Sequence, residues 1–244
     1  MPVYLDIETT GLEDDAVITC AVTLSVSAGG AGKAPHVKER RWHGAAGEPM
    51  PPVVVRAMAE YLVKMSAREP VVTFNGVGFD MKRLYAAITL TGPEDAELAE
   101  AFRQMSKGHL DLMYDLWCDV GYMSSLDSFA AAEGLGGKTN SGGWAATAWA
   151  PDERACQQVL DYCAADVELL RKVHEAAVAR GRLRRRTKAG RERTWVLPGA
   201  DTAPHTVRTA EAAHRAYKRS PPDTSWMTEP PTHTPADAFA WLAN

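Results

Sequence analysis

The sequence predicts an α/β fold, a mixed β-sheet in βββαβα order flanked by helices, with a C-terminal basic hairpin and an extension. Three observations carry that prediction. Runs with strand character come three in succession at the N-terminus, over residues 2–7, 16–26 and 35–43. A further β-branched run at 70–74 lies between two helix-like stretches, 52–68 and 79–90. The stretch 152–180 then repeats Leu160, Cys163, Ala164, Val167 and Leu170 at three- and four-residue intervals, the pattern of an amphipathic helix.

The elements follow in order. Pro2, Val3, Tyr4 and Leu5 read as a short buried strand, and residues 29–33 form a loose hairpin connection between the second and third strands. After the strand at 70–74, Asn75, Gly76, Val77 and Gly78 turn the chain into the helix that Asp80 opens. Residues 94–107 form another helix, whose several acids suggest a solvent-facing side, and 109–112 a brief strand feeding a helical stretch. Residues 125–131 read as a helix, and 183–186 with 193–197 as a hairpin around Lys188, Ala189 and Gly190. Past Pro198 the texture changes: a helix at 207–218, a Pro-rich loose stretch at 220–234, and a short helix at 235–242. Trp226, Phe239 and Trp241 there either pack back on the core, the reading adopted, or dock a protein partner. The chain so divides into 1–180, the hairpin 181–198 and the extension 199–244.

Chemistry concentrates in three segments. Residues 6–12 read D-I-E-T-T-G-L at a strand end. Residues two apart on a strand share a face, so Asp6 and Glu8 project together. Carboxylates that close repel unless a cation lies between them. Hard Mg²⁺ or Mn²⁺ suits such oxygen ligands. A lone D-x-E is more often a solvated acid pair. In the second segment Asp80 sits in a first helical turn, where the helix dipole alone would favour it. Gly76 and Gly78 lack the third glycine of a dinucleotide fingerprint. In the third, Tyr162 and Asp166 are four apart and stack on one helix face. Taken singly, each segment has an ordinary structural explanation; their conjunction and order do not.

In these residues the chain resembles the DEDD exonucleases of the ribonuclease-H-like (DnaQ-like) superfamily, the group that includes polymerase proofreading domains. The resemblance covers roughly residues 2 to 178. Asp161 stands where one branch of that family carries His, and Tyr162 makes the chain similar to the Tyr branch, DEDDy. Residues 160–167 are similar to members near the family-B polymerase exonucleases. The resemblance implies a metal-dependent 3′→5′ exonuclease with two divalent metal ions, Mg²⁺ or Mn²⁺. Asp6, Glu8 and Asp166 would hold the one carrying the attacking water, and Asp6 and Asp80 the second. Tyr162 would orient the water, since a phenol of ordinary pKa about 10 is a donor at neutral pH. Thr9, Thr10, Gly11 and Leu12 would meet the terminal nucleotide, through backbone amides on the 3′-hydroxyl and a Leu12 wedge against the last base. Asn75 and Phe79 would line the same cleft. Leu12 as a core residue, Asn75 as a turn former and Phe79 as core packing are the plain alternatives.

Residues 132–139 end in Gly137, Lys138 and Thr139 and nearly fit a phosphate-binding loop, with Ala132 in place of the first glycine. That loop requires a strand before it and a helix after it. Here a helix precedes, and Asn140, Ser141, Gly142 and Gly143 make a poor helix start. A Gly-rich helix-ending loop that places Lys138 near a substrate phosphate is the reading adopted.

The 244 residues, 45% hydrophobic, are enough for a full globular core. With no apolar run long enough to span a membrane and no leader sequence at Met1, a cytoplasmic protein with no membrane partner is expected. Cys20, Cys118, Cys156 and Cys163 form no CxxC pair and read as reduced, buried thiols. The net charge is −4, yet residues 180–193 hold eight Lys/Arg against one Glu, a local +7 that leaves −11 for the rest. A charge run is often solvated surface. Its place after the Tyr162 helix instead suggests that Arg184, Arg185 and Arg186 grip a nucleic-acid backbone. The expected partner is the 3′ end of single-stranded DNA. RNA as substrate, told apart by its 2′-hydroxyl, and a non-catalytic nucleic-acid-binding domain are the alternatives.

Overall fold

The computed structural model describes residues 2–13, 15–27, 29, 34–121, 123–137, 142–187, 189–197 and 223–228. Its centre is a five-stranded mixed sheet in the order β3-β2-β1-β4-β5. Strands β1 (Val3–Thr9), β2 (Ile18–Ser27) and β3 (His36–His43) run antiparallel as consecutive neighbours. Helix α1 (Pro52–Ser66) carries the chain across to β4 (Val71–Thr73), which pairs parallel with β1. Helices α2 (Asp80–Thr91) and α3 (Ala96–Lys107) lead on to β5 (Leu110–Asp111), parallel to β4. Among the described residues four further helices follow: α4 (Leu112–Val120), α5 (Leu126–Ala132), α6 (Gly142–Ala148) and α7 (Glu153–Arg180).

The period of β1 sorts the core into two layers. Val3, Leu5 and Ile7 pack with Met58 and Leu62 of α1, Met81 and Leu84 of α2, and Phe102 of α3. Tyr4 faces the other way and packs with Val22 and Leu24 of β2 and Cys163, Val167 and Leu170 of α7. Asp6 and Glu8 follow Tyr4 at two-residue steps, so they too face α7. A register shift between Glu8 and Thr9 ends the regular pairing with β2. At 28 residues α7 is the longest element, about 42 Å at 1.5 Å per residue. Asp152 caps its start by accepting from the Arg154 amide at 3.0 Å, and Gly181 ends it at φ 70°, where a Cβ would be strained.

Strands β6 (Arg182–Arg186) and β7 (Glu192–Val196) form the expected hairpin as a separate two-stranded sheet. Leu183 and Trp195 seat it on the α7 layer of the core. Trp226 does pack back, 8% exposed in the α1–α3 layer. The expected helices at 207–218 and 235–242, with Phe239 and Trp241, lie outside the described residues.

One expectation is corrected. Gly142 and Gly143 do start a helix, because burial of Ala145 and packing of Trp144 against Tyr162 outweigh the poor local propensity. The phosphate-binding-loop reading still fails, since α5 stands where its strand must be. Glu97 and Glu100 give α3 the expected solvent-facing side, while Asp95, just before the helix, is 4% exposed and pairs with Arg56 at 3.2 Å.

Candidate active site

Where β1 ends against the middle of α7, an open cleft of about 410 Å³ gathers most of the residues singled out from sequence. From β1 and the loop after it come Asp6, Glu8, Thr9, Thr10, Gly11 and Leu12. The turn before α2 brings Asn75 and Phe79, and α2 itself brings Asp80. Tyr162 and Asp166 enter from α7, one turn apart. Gly143 and Ala146 of α6 close one side, a wall the sequence reading missed. The helical spacing of the apolar Trp144, Ala145 and Ala148 was its available signal.

The α7 side is fixed by packing. Tyr162 and Asp166 are each 4% exposed, and the Trp144 ring meets the Tyr162 ring edge-on at 5.7 Å. Between them Cys163 donates to the backbone carbonyl of Asp6 at 3.4 Å and lies 3.7 Å from its Oδ2. This contact locks α7 in register against β1.

The α2 side is fixed by hydrogen bonds. Asn75 takes φ 76°, the one positive φ outside glycine among the described residues. A Cβ on Gly76 would sit 2.3 Å from Thr73 Oγ1, so this turn closes only around a glycine. Asp111, fully buried, accepts from the amides of Asn75 at 2.9 Å and Val77 at 2.8 Å. It also caps α4 through the amides of Met113 and Tyr114. Sequence reading missed Asp111, although an acid just before a helix is a capping signal. The turn so held delivers Asp80, 3% exposed, whose Oδ1 accepts from the Ile7 amide at 3.1 Å.

Electrostatically the cleft is one-sided. Asp6, Glu8, Glu13, Asp80 and Asp166 line it, and no Lys, Arg or His does among the described residues. Burial and then the Asp6 charge push the Asp80 carboxyl well above the usual carboxylate range. Burial, with Cys20, Asp6 and Glu8 nearby, likewise raises the Cys163 thiol. Ligand atoms of Asp6, Glu8 and Cys163 lie within 4.8 Å of one another. Buried oxygen donors of like charge are a donor set for a hard divalent cation. Asp6 and Glu8 form an acidic group that fits one.

The remaining expected residues fall unevenly. Leu12 is 78% exposed, which excludes the core alternative and leaves an apolar side chain at the cleft mouth. Asn75 both forms the turn and lines the cleft. Phe79 is half-buried: it packs on the core, lines the cleft, and carries the Arg83 guanidinium 5.5 Å above its ring. Two amides expected to meet the substrate already have partners, Thr10 N–H on Val17 O and Leu12 N–H on the Glu13 carboxylate, each at 3.0 Å. Lys138 lies outside the described residues. Arg184, Arg185 and Arg186 do not line the cleft; they sit on the hairpin beyond the far end of α7. Arg184 bonds the Ala132 carbonyl and Glu192, and Arg186 lies 3.8 Å from Glu192.

A mixed sheet in this order, with acids gathered at its central strand and a helix crossing it, defines a small class of α/β proteins. Residues 3–178 match the profile of the RNase H superfamily, and the chain belongs to that superfamily. No curated protein matches the sequence. Among solved structures the fold is similar to the family B DNA polymerase of the hyperthermophilic archaeon Pyrobaculum calidifontis. The identity is 18% and the TM-score 0.50, over 72% of this chain and 24% of the polymerase. Exonuclease I of E. coli in complex with a dT13 oligonucleotide matches at 12% identity and TM-score 0.35, over 74% of this chain and 44% of that one. The chain thus spans about a quarter of the polymerase and less than half of exonuclease I.

Proposed function

We propose that the protein is a metal-dependent 3′→5′ exonuclease acting on the 3′ end of single-stranded DNA. The observation that carries this is the convergence of Asp6, Glu8, Asp80 and Asp166 with Tyr162 in one cleft lined by no cationic side chain among the described residues. Four acids, three of them buried, are costly to keep together without a compensating cation. Asp6, Glu8 and Asp166 would hold one Mg²⁺ or Mn²⁺ and Asp6 with Asp80 a second. Such a pair of ions, when bound, lowers the pKa of water and stabilises both the attacking and leaving oxygens of an in-line displacement.

The chain's own residues do the rest. Tyr162, held edge-on by Trp144, points a proton-bearing phenol into the cleft to orient the attacking water. The oxygen of that water bonds to phosphorus, the bond from phosphorus to the 3′ oxygen of the preceding nucleotide breaks, and that oxygen takes up a proton. A 5′-mononucleotide leaves and a new 3′-hydroxyl remains. Exposed Leu12 wedges against the last base, and Phe79 and Asn75 shape the wall opposite. The Glu13 carboxylate gives up the Leu12 amide as the 3′-terminal nucleotide enters.

The test is cleavage of 5′-labelled single-stranded DNA and RNA of matched sequence with Mn²⁺ or Mg²⁺. A ladder shortening from the 3′ end is expected, abolished by EDTA and in Asp6→Ala and Asp166→Ala. Tyr162→Phe should keep a measurable remnant, about 10²-fold down, in the range for a positioned proton-transfer group. Full activity in purified Asp166→Ala protein sinks the mechanism. Faster loss of the RNA would make the protein an exoribonuclease, and tight binding without cleavage a binding domain.

A further inference from the structure

Outside the residues that match the superfamily, the segment 223–228 lies against the turn that delivers Asp80. Trp226 sits in a 3₁₀ turn, Ser225–Met227, and packs its ring on Tyr85 of α2 at 5.5 Å. Its indole N–H donates to the backbone carbonyl of Val77 at 3.2 Å. The amide of the same Val77 donates to Asp111. Both polar backbone groups of one fully buried residue, three positions before Asp80, are therefore tied, one by Asp111 and one by the C-terminal segment.

The segment is itself pinned at both ends. Lys82 of α2 pairs with Asp223 at 3.0 Å, and Arg103 of α3 donates to the Met227 carbonyl at 2.8 Å. Asp223 also accepts from the amide and hydroxyl of Ser225, fixing the turn that presents Trp226. A buried indole N–H needs an acceptor, and the one Trp226 takes is a backbone carbonyl of the turn that leads into Asp80.

Resting on the reading of the cleft as a metal-dependent nuclease, we propose that Trp226 is a positioning residue for Asp80. The C-terminal segment thereby sets how tightly the cleft holds its metal. Trp226→Phe keeps a ring against Tyr85 and removes the donor to Val77 along with part of the indole's volume. In the full-length protein this variant should exchange the backbone amides of residues 75–81 about tenfold faster in deuterium-exchange mass spectrometry, the size expected for loss of one buried hydrogen bond. Calorimetry should show Mn²⁺ binding weakened by a similar factor. Leu24→Ala, a cavity in the α7 layer, is the control for general destabilisation and should leave both readouts as in wild type.

Arg103→Ala, which frees the Met227 carbonyl, should shift both in the same direction by less, and serves if Trp226→Phe does not fold. Unchanged exchange at 75–81 in these variants, or an equal change in Leu24→Ala, overturns the proposal. The exchange arm needs no metal, so wild-type protein that binds no Mn²⁺ defeats the nuclease reading separately, while the hold on the turn is still judged.

Discussion

At the scale of single residues the cleft is held in a state that metal-free protein should dislike. Asp80 is buried beside Asp6, and its carboxyl is raised well above the usual range. For an acid raised in the folded state, the folded form keeps its proton after the unfolded chain has released it. Stability from this group is therefore complete below the ordinary carboxylate pKa, about 4, and drains as pH rises above it. At neutral pH the metal-free protein carries that cost. Asp80→Asn removes it and can still accept from the Ile7 amide. We predict that Asp80→Asn melts higher than wild type in EDTA at pH 7.5, by about 2–4 °C for each kcal/mol relieved, yet gains less from added Mn²⁺. A lower melting temperature in EDTA would mean that the acids of the cleft do not oppose one another.

At the scale of elements, what was legible in the sequence is what periodicity alone decides. The two-residue step of β1 places Asp6 with Glu8, and the four-residue step of α7 places Tyr162 with Asp166; neither needs knowledge of the neighbours. Asp111 and α6 were not legible for the opposite reason. Asp111 acts through amides 34 and 36 positions away, on Val77 and Asn75, which only the β4–β5 pairing brings near. Helix α6 exists by packing against α7, despite two glycines at its start. A second long-range tie joins β1 to α7: Tyr4 hydroxyl and His174 Nδ1 are 2.9 Å apart, and burial lowers the His174 pKa to about 4. The unfolded chain takes up this proton near pH 6.5, so stability that is complete above 6.5 is lost as pH falls toward about 4. The loss should reach roughly 3 kcal/mol, at about 1.36 kcal/mol per unit. His174→Gln keeps a polar partner for Tyr4 and does not titrate. Urea unfolding of both proteins between pH 4 and 7.5 should show the variant's curve flatter by that amount. Parallel curves would place the His174 proton elsewhere in the balance.

At the scale of the molecule, charge is split along α7. Acids gather at its middle, against the end of β1, and the +7 run of residues 180–193 begins at its C-terminal end. From Asp166 to Arg180 is 14 residues, or about 21 Å along the axis. At the 3.4 Å rise per phosphate of a duplex-stacked strand, a strand with its 3′ end in the cleft would reach the hairpin within roughly six phosphates, and within fewer if extended. Oligonucleotides of two or three residues should therefore bind and be cut independently of the hairpin, and only longer ones should feel it. The three arginines named from sequence are not equivalent. Arg184 is spent on the Ala132 carbonyl and Glu192, whereas Arg186 is exposed at the strand end. Arg186→Gln should weaken binding of a 12-mer and lower the slope of log affinity against log salt by about 0.7, the value for one phosphate contact on a single strand. Arg184→Gln should instead lower the melting temperature and leave the slope nearly unchanged. Fluorescence anisotropy of a trimer and a 12-mer across a salt series measures both. If Arg186→Gln leaves the 12-mer slope as it is, the hairpin is a solvated surface, and the strand leaves the cleft by another route.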